Sequence, residues 1–465
     1  MNLKKAISFA LPFILGLLLW FLPAPEGLLR DAWHLFALFV ATILGIILRP
    51  FPMGVIALFG LTLAVITGLL SFEQAFSGFS NEIVWLVVFA FFISRAFIQS
   101  GLGERIAYSL MSRIGKETLG LGYGLVATDL LIAPIIPSLA ARGGGVIYPL
   151  LQSLTTIFTG ASHDPRVGAF LTLSAFQGMA ITSAMFLTAM AGNPLIALYA
   201  KQHGATIMWG GWALAALVPG LLSLAIAPWL IYRLVRPVIR KTPHAREMAK
   251  EALRKMGPLT LQEKILLLIF LLMILLWIFG HLIGCSATVT ALIGVVLLLS
   301  TGVLRWKEIL QEGNAWDTFV WFAILITLPR YLTEFGFTHW FSDQIASSLT
   351  GPHWIASFLV LSLVYFYAHY FFASNVAHIT ALFVPFLIVA ISVGTPPMLA
   401  ALSLGFLSNL FGGLTHYGSG PAPILFGTGF VTVREWWKIG ALIGLLNIAI
   451  WLGIGAVWWK LLGLW

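Results

Sequence analysis

Apolar residues fill this chain in successive blocks of about twenty, the length at which a helix crosses a ~30 Å hydrocarbon core. Short polar or Gly/Pro-containing stretches separate the blocks, and no ~10-residue alternation of the kind used by membrane β-strands is present. The pattern predicts helices near 6–23, 31–48, 52–71 and 82–99, then a segment at 119–156 that is too broken for one span and too long for a loop. A split helix at 168–200 and a span at 209–233 follow. The second half predicts 263–283, 285–303 and 316–333, a second broken segment at 353–395, a split helix at 398–430 and a last span at 436–462. The expected fold is an all-α polytopic membrane protein with about 11 transmembrane helices and two re-entrant helical hairpins.

Composition agrees. The chain of 465 residues is 60% hydrophobic and 9% charged, with a mean hydropathy of +0.97, far from the roughly one quarter of charged residues in a soluble domain. Its 18 tryptophans suit interfacial belts. The formal charge of +9 is spread over loops, which argues against nucleic-acid binding. A single cysteine, Cys285, excludes an intramolecular disulfide. The opening stretch resembles a signal peptide, but Ala24-Pro25-Glu26-Gly27 is a poor cleavage site, so a retained first helix is expected.

Cations sort with the spans. If Lys4 and Lys5 are cytoplasmic, the inner loops hold Arg49, Arg105, Arg113, Lys116, the 233–264 region, Arg305, Lys307, Arg434 and Lys438. The outer loops hold Arg30 and Lys201 beside Glu26, Glu73, Glu334 and Asp343. The positive-inside rule therefore expects a cytoplasmic N-terminus and an outer C-terminus, and the expected setting is a bacterial inner membrane. The basic run at 233–258 reads as a solvated connector between two halves.

The halves echo one another. A shift of 235 pairs Glu82, Arg95 and Gly101 with Asp317, Arg330 and Gly336. A shift of 236 pairs Ser138, Ala141 and Pro149 with Ser374, Ala377 and Pro385, and a shift of 227 pairs Thr188 and Pro194 with Thr415 and Pro421. The expected organisation is an N-terminal helix (1–30), a first inverted repeat (31–233), a basic linker (234–262) and a second inverted repeat (263–465). Five crossings per repeat, an odd number, turn the second upside down. Inverted repeats with breaks in matching places point to a secondary transporter, because freed backbone groups at membrane depth must face protein, water or ligand. A half-helix starting at such a break offers its positive N-terminus to an anion. The charged pairs Glu82/Arg95 and Asp317/Arg330 are expected at opposite ends of their spans, capping or snorkelling.

The strings "PSLAARGGGVIYP", "SAMFLTAMAGNPL", "HYFFASNVAH" and "LTHYGSGPAPILFG" resemble the divalent anion/sodium symporter family. The likeness is to its exchanger branch, which includes the bacterial citrate/succinate antiporter and the plastidic 2-oxoglutarate/malate translocators. In that family each hairpin tip carries a Ser-Asn-Thr motif that holds substrate carboxylates. The matching positions are Ser138, Leu139 and Ala140 at the first tip and Ser374, Asn375 and Val376 at the second. Leu139 and Ala140 have no side-chain donor, so the first tip departs from the motif.

Arg142, beside the first tip, is the sharpest candidate, since an arginine at membrane depth faces the interior and its fork fits a carboxylate. His378 takes the equivalent place after the second tip, with His369 and His416 nearby. The resemblance implies that fixed cations replace Na⁺ in exchangers, and Arg142 with His378 or His416 are the candidates. Asn193, Thr415, Gly418 and Ser419 at the two breaks complete the expected substrate site.

The expected function is exchange of di- or tricarboxylates such as 2-oxoglutarate, malate, succinate or citrate. The resemblance further implies an elevator motion and a homodimer. No nucleotide-binding loop, H-E-x-x-H or G-x-S-x-G string occurs, so neither ATP drive nor an intramembrane enzyme is expected. No metal or cofactor is expected, save Na⁺ if the alternative, a Na⁺-coupled dicarboxylate symporter of the same fold, holds.

Overall fold

In the computed structural model, which describes residues 3–158, 164–348 and 354–465, the chain is a bundle of helices. The first half contains α1 (Leu3–Phe21), α2 (Arg30–Leu48), α3 (Met53–Ile66), α4 (Phe72–Phe76), α5 (Glu82–Gln99) and α6 (Leu102–Ile114). It continues with α7 (Thr118–Ile132), α8 (Leu139–Arg142), α9 (Tyr148–Phe158), α10 (Pro165–Met185), α11 (Gly192–Gln202) and α12 (Trp209–Val235). After α13 (Pro243–Met256), the second half gives α14 (Leu261–Phe279), α15 (Ala287–Ser300), α16 (Trp306–Leu310), α17 (Gly313–Glu334) and α18 (Phe337–Ser348). Then come α19 (Trp354–Tyr367), α20 (Asn375–His378), α21 (Val384–Ser392), α22 (Pro397–Leu410), α23 (Ala422–Phe426), α24 (Val433–Ile448) and α25 (Ala456–Leu461).

Eight helices among the described residues are long and apolar enough to cross a membrane. Shorter apolar helices, Met53–Ile66 and Ala287–Ser300 among them, stand at other expected spans. The helix expected at 316–333 forms as α17 but carries Asp317 and Arg330 and is not one of the eight. The start assigned to the second hairpin, residue 353, lies outside the described residues.

The order of elements recurs, each helix from α2 to α11 answering the one twelve places later. The recurrence reaches fine detail. Thr67 and Thr301 hydroxyls donate to the carbonyls of Leu63 and Leu297 at the ends of α3 and α15. Gly68 and Gly302 then take φ of 75° and 71°, and the amides of Leu70 and Leu304 reach back to Ala64 and Leu298. These are glycine stops, and the left-handed position is one that a residue without a Cβ takes readily. A capping box follows on α4, Ser71 with Gln74, and at the matching place on α16 the Glu308 carboxylate accepts from the amide and side chain of Arg305. The halves are strapped crosswise: α3 packs on α17, and α15 packs on α5.

Short amphipathic helices are the elements that apolar blocks do not announce. The 233–258 run is largely exposed, as a solvated connector would be, but it is folded. Its helix α13 packs on α6, and the amides of Thr118 and Thr242 bond the carbonyls of Arg240 and Lys116 at 2.9 and 2.8 Å. Arg105 ties the region to α14, donating to both oxygens of Glu263 (2.7 and 3.2 Å) and to the carbonyls of Met256 and Gly257. Glu82 begins α5, while Arg95 near its end pairs with Glu312 at 3.9 Å and Arg330 pairs with Glu334 at 2.9 Å. Cys285 is free and lies in the turn before α15.

Candidate functional site

Helix α10 is enclosed by protein from Val167 to Met185, which singles out its surroundings as the place where polar backbone can open at membrane depth. Its chain breaks after Met185, passes a short 3₁₀ turn at Leu187–Ala189 and resumes at Gly192 as α11. The counterpart α22 breaks after a 3₁₀ turn at Phe411–Gly413 and resumes at Ala422 as α23. Asn193 and Asn409 join the two split helices, the amide of Asn409 donating to Asn193 Oδ1 at 2.8 Å. Asn193 in turn donates to the carbonyls of Ser183 and Phe186 (2.8 and 3.0 Å), so it holds the first break in shape.

Two hairpin tips meet the breaks. Ser138 caps α8, its Oγ accepting from the amide of Ala141 at 3.2 Å, and Ser374 caps α20 through Ala377 at 3.4 Å. These hydroxyls spend a lone pair on the cap and keep their own protons for another acceptor. The first-turn amides of Leu139, Ala140, Asn375 and Val376 have no carbonyl within their helices to bond. Both tips run on through a π-helical turn, Gly143–Ile147 and Ile379–Phe383, before α9 and α21. Such wide turns concentrate at functional sites.

Each tip is seated in the break of the other half. A methyl built on Gly420 would stand 3.0 Å from Ala140 Cβ, and one on Gly143 would stand 2.7 Å from Pro421 Cβ. A methyl on Gly192 would meet Ile379 at 2.6 Å and Val376 at 3.8 Å. Ser138, Ala140, Ser374 and Val376 are half-buried at these contacts, whereas Leu139 and Asn375 are buried. Asn375 turns inward and donates to the carbonyl of Ser408 at 3.0 Å.

Arg142 is fully buried and turned to an acid. Its Nη1 lies 3.3 Å from Asp129 Oδ2 on α7, and its Nη2 donates to the Ala189 carbonyl at 3.3 Å in the first break. Thr182 on α10 donates to the same Asp129 oxygen. Asp129 Oδ1 and Arg142 Nε have no partner. In place of the substrate carboxylate expected opposite Arg142, the structure supplies a carboxylate of the protein. An acid within the apolar run VATDLLIAP was a signal in its own right, since charge at that depth calls for a partner.

The second tip carries different chemistry at the same positions. His378 stands where Arg142 does and Tyr365 where Asp129 does, with Ser408 bonded to the Tyr365 hydroxyl at 2.7 Å as Thr182 is to Asp129. His378 is fully buried among Tyr365, Phe372 and Phe411, and its Nδ1 lies 3.2 Å from Nδ1 of His369. His369 Nε2 meets the carbonyl of Gly418 at 2.9 Å. Ser419 closes the same loop by donating to Gly412 at 3.1 Å. The buried Thr415 hydroxyl has no partner. His416 is the outlier of the expected set: its Nδ1 accepts from Trp437 at 3.1 Å, on the α24 side of the break. Sequence reading missed Asp129, Thr182, Tyr365, Ser408 and Asn409, of which only Asp129 left a trace in the pattern.

A cavity of about 1210 Å³ lies between α12 and α14 and is lined by Pro134, Phe186, Lys201, Trp209 and Trp277. It borders the first break and touches none of the expected site residues. Among the described residues no group of three His, Cys, Asp or Glu stands together as metal ligands.

Comparisons with known proteins agree with this architecture. The chain is similar to YflS of Bacillus subtilis, named as a candidate malate transporter, at 50% identity over 99% of this chain and 97% of that one. It is 49% identical to the chloroplastic dicarboxylate transporter 1 of Spinacia oleracea, over 97% of this chain and 80% of that one. The inner membrane protein YbhI of Escherichia coli is 37% identical over 99% and 97%. The solved YdaH transporter of Alcanivorax borkumensis shares the fold, with a TM-score of 0.53 at 12% identity, over 98% of this chain and 97% of that one. Residues 3–465 match the family described as the sodium:sulfate symporter transmembrane region. With that match running over nearly its whole length, the chain belongs to the sodium:sulfate symporter family of membrane transporters, the divalent anion group that its tip and break motifs resemble.

Proposed function

We propose that this protein exchanges di- or tricarboxylates of the malate, 2-oxoglutarate, succinate and citrate class across a bacterial inner membrane. One observation carries the reading: each hairpin tip packs against the helix break of the other half, which brings the first-turn amides of α8 and α20 beside the two breaks. Amides and hydroxyls aimed at a gap suit carboxylate oxygens. Relatives at 49% and 41% identity named as dicarboxylate transporters support the substrate class.

In this reading the caps Ser138 and Ser374, the amides of Leu139, Ala140, Asn375 and Val376, and Thr415 hold the anion. Gly418 and Ser419 shape the second break, Asn193 holds the first, and His378 with His369 lies behind the second tip. Arg142 is a positioning residue that fastens α8 to α7 and to the first break. The halves lie inverted, with the N-terminus cytoplasmic and the C-terminus outside. The hairpins and split helices move as one body against the remaining spans, within a homodimer, and no Na⁺ is needed.

Counterflow tests it. Proteoliposomes loaded with malate should accumulate labelled malate in Na⁺-free buffer, and empty ones should not. Uptake into empty vesicles driven by a Na⁺ gradient would replace exchange with symport, and failure with every dicarboxylate would end the carboxylate reading.

A further inference from the structure

The two histidines behind the second tip form a pair whose proton inventory is fixed by geometry. The Gly418 carbonyl can only accept, so His369 Nε2, 2.9 Å away, carries hydrogen. A neutral His369 then offers a lone pair at Nδ1, and His378 Nδ1, 3.2 Å away, must be the donor. A neutral His378 is left with a bare lone pair on Nε2, which is buried and has no hydrogen-bond partner. The neutral pair therefore holds two ring protons and one vacant basic site.

Aromatic rings line the pair. Phe411 stacks on both rings, at 4.0 Å from His369 and 4.3 Å from His378, while Phe372 and Tyr365 lie 4.6 and 4.7 Å from His378. Aromatic faces attract positive charge. Few other titratable groups face the pair. The Tyr365 hydroxyl of α19 is bonded to Ser408, Tyr417 of the break donates to the Tyr370 carbonyl, and His416 is bonded to Trp437. From α2, Arg49 reaches only the Ala373 carbonyl, at 3.1 Å. Helix α22 presents Ser408 and Asn409, neither of which titrates.

The rest of the site leaves a charge to be balanced. Arg142 is neutralised by Asp129, so a dicarboxylate held by tip amides would keep both of its negative charges in a buried place. We propose that the His369–His378 pair is a proton-binding site that takes up one proton from water with each dicarboxylate bound. The proton comes off hydronium or a buffer acid, whose bond to hydrogen breaks as the N–H bond forms on the free lone pair, and it returns to water when the anion is released. Through His369 the added charge bears on the Gly418 carbonyl, one residue from Ser419 and three from Thr415. This inference rests on the carboxylate reading above.

Calorimetry of malate binding to the full chain in nanodiscs tests it, run near pH 7.5, where malate is a dianion, in two buffers of different ionisation enthalpy. The wild type should take up about one proton per malate. His378→Asn keeps a donor where Nδ1 stood and removes the second nitrogen, so it should bind malate without proton uptake. His369→Gln keeps a donor to Gly418 and leaves the His378 Nε2 lone pair in place, so it should bind malate and still take up a proton. Uptake that persists in folded His378→Asn, or is missing from the wild type, overturns the assignment. Absence of binding by malate, succinate and 2-oxoglutarate alike overturns it together with the carboxylate reading.

Discussion

Arg142 and Asp129 meet at 3.3 Å with their side chains 0% and 1% exposed, and each keeps one polar atom without a partner. A pair like this draws little net stability from being there, yet removing one member strands the other charge at a cost of about 3–5 kcal/mol. Asp129→Asn and Arg142→Gln should each fail to accumulate or melt far below the wild type. The double variant, with no charge left behind, should accumulate and regain part of the exchange. Fluorescence-detected chromatography and counterflow on the three variants check this. A double variant that folds but never exchanges would make Arg142 a substrate ligand instead.

Thr415 offers a cleaner reading, because its buried hydroxyl bonds to nothing in the protein. Thr415→Val keeps the shape and loses only the oxygen, so folding should be unharmed. If the hydroxyl donates to substrate, malate affinity should fall roughly tenfold, or ~1.4 kcal/mol. Equal affinity would remove Thr415 from the site.

The seat between Gly143 and Pro421 can be probed with a single methyl. Gly143→Ala would place Cβ 2.7 Å from Pro421 Cβ, closer than two carbons approach. Displacing the tip by this overpacking costs about 1–3 kcal/mol. Exchange should drop strongly in protein that still melts cooperatively. Gly144→Ala is the control, since its Cβ meets only Ile424 Cδ1, at 3.3 Å on a flexible side chain.

Arg105 makes a prediction away from the tips. Its four hydrogen bonds hold the 256–263 turn, and Glu263 is only 2% exposed. Arg105→Ala should cost about 3 kcal/mol by stranding that acid, and it should free α13 for proteolysis. Glu263→Gln in the same chain should restore part of the loss. Limited trypsin digestion, read at Arg246 and Lys250, follows it.

How far the sequence reveals this depends on which force sets each element. The long apolar helices were legible because hydrophobic length is a local property, and α5 falls at 82–99 as expected. The helices α6 and α13 were not, because their short amphipathic faces acquire meaning only against each other. At the site, glycine and proline marked both breaks, and the serine caps stood where the motifs put them. Partnerships were invisible. Nothing local says that Arg142 turns to Asp129 thirteen residues back, or that Asn409 reaches Asn193 across 216 residues.

The two tips share one plan and differ in chemistry, with an acid, a base and a threonine on one side and a tyrosine, a histidine and a serine on the other. Because each tip closes on the opposite half, neither copy ever had to be a complete site. Duplication therefore left the chain a spare set of positions. The first copy holds a buried charge pair and keeps only Ser138 of its tip motif, while the second keeps Ser374 and Asn375 and holds two buried histidines. The division of labour between halves is a property of the fused chain that neither half possesses alone.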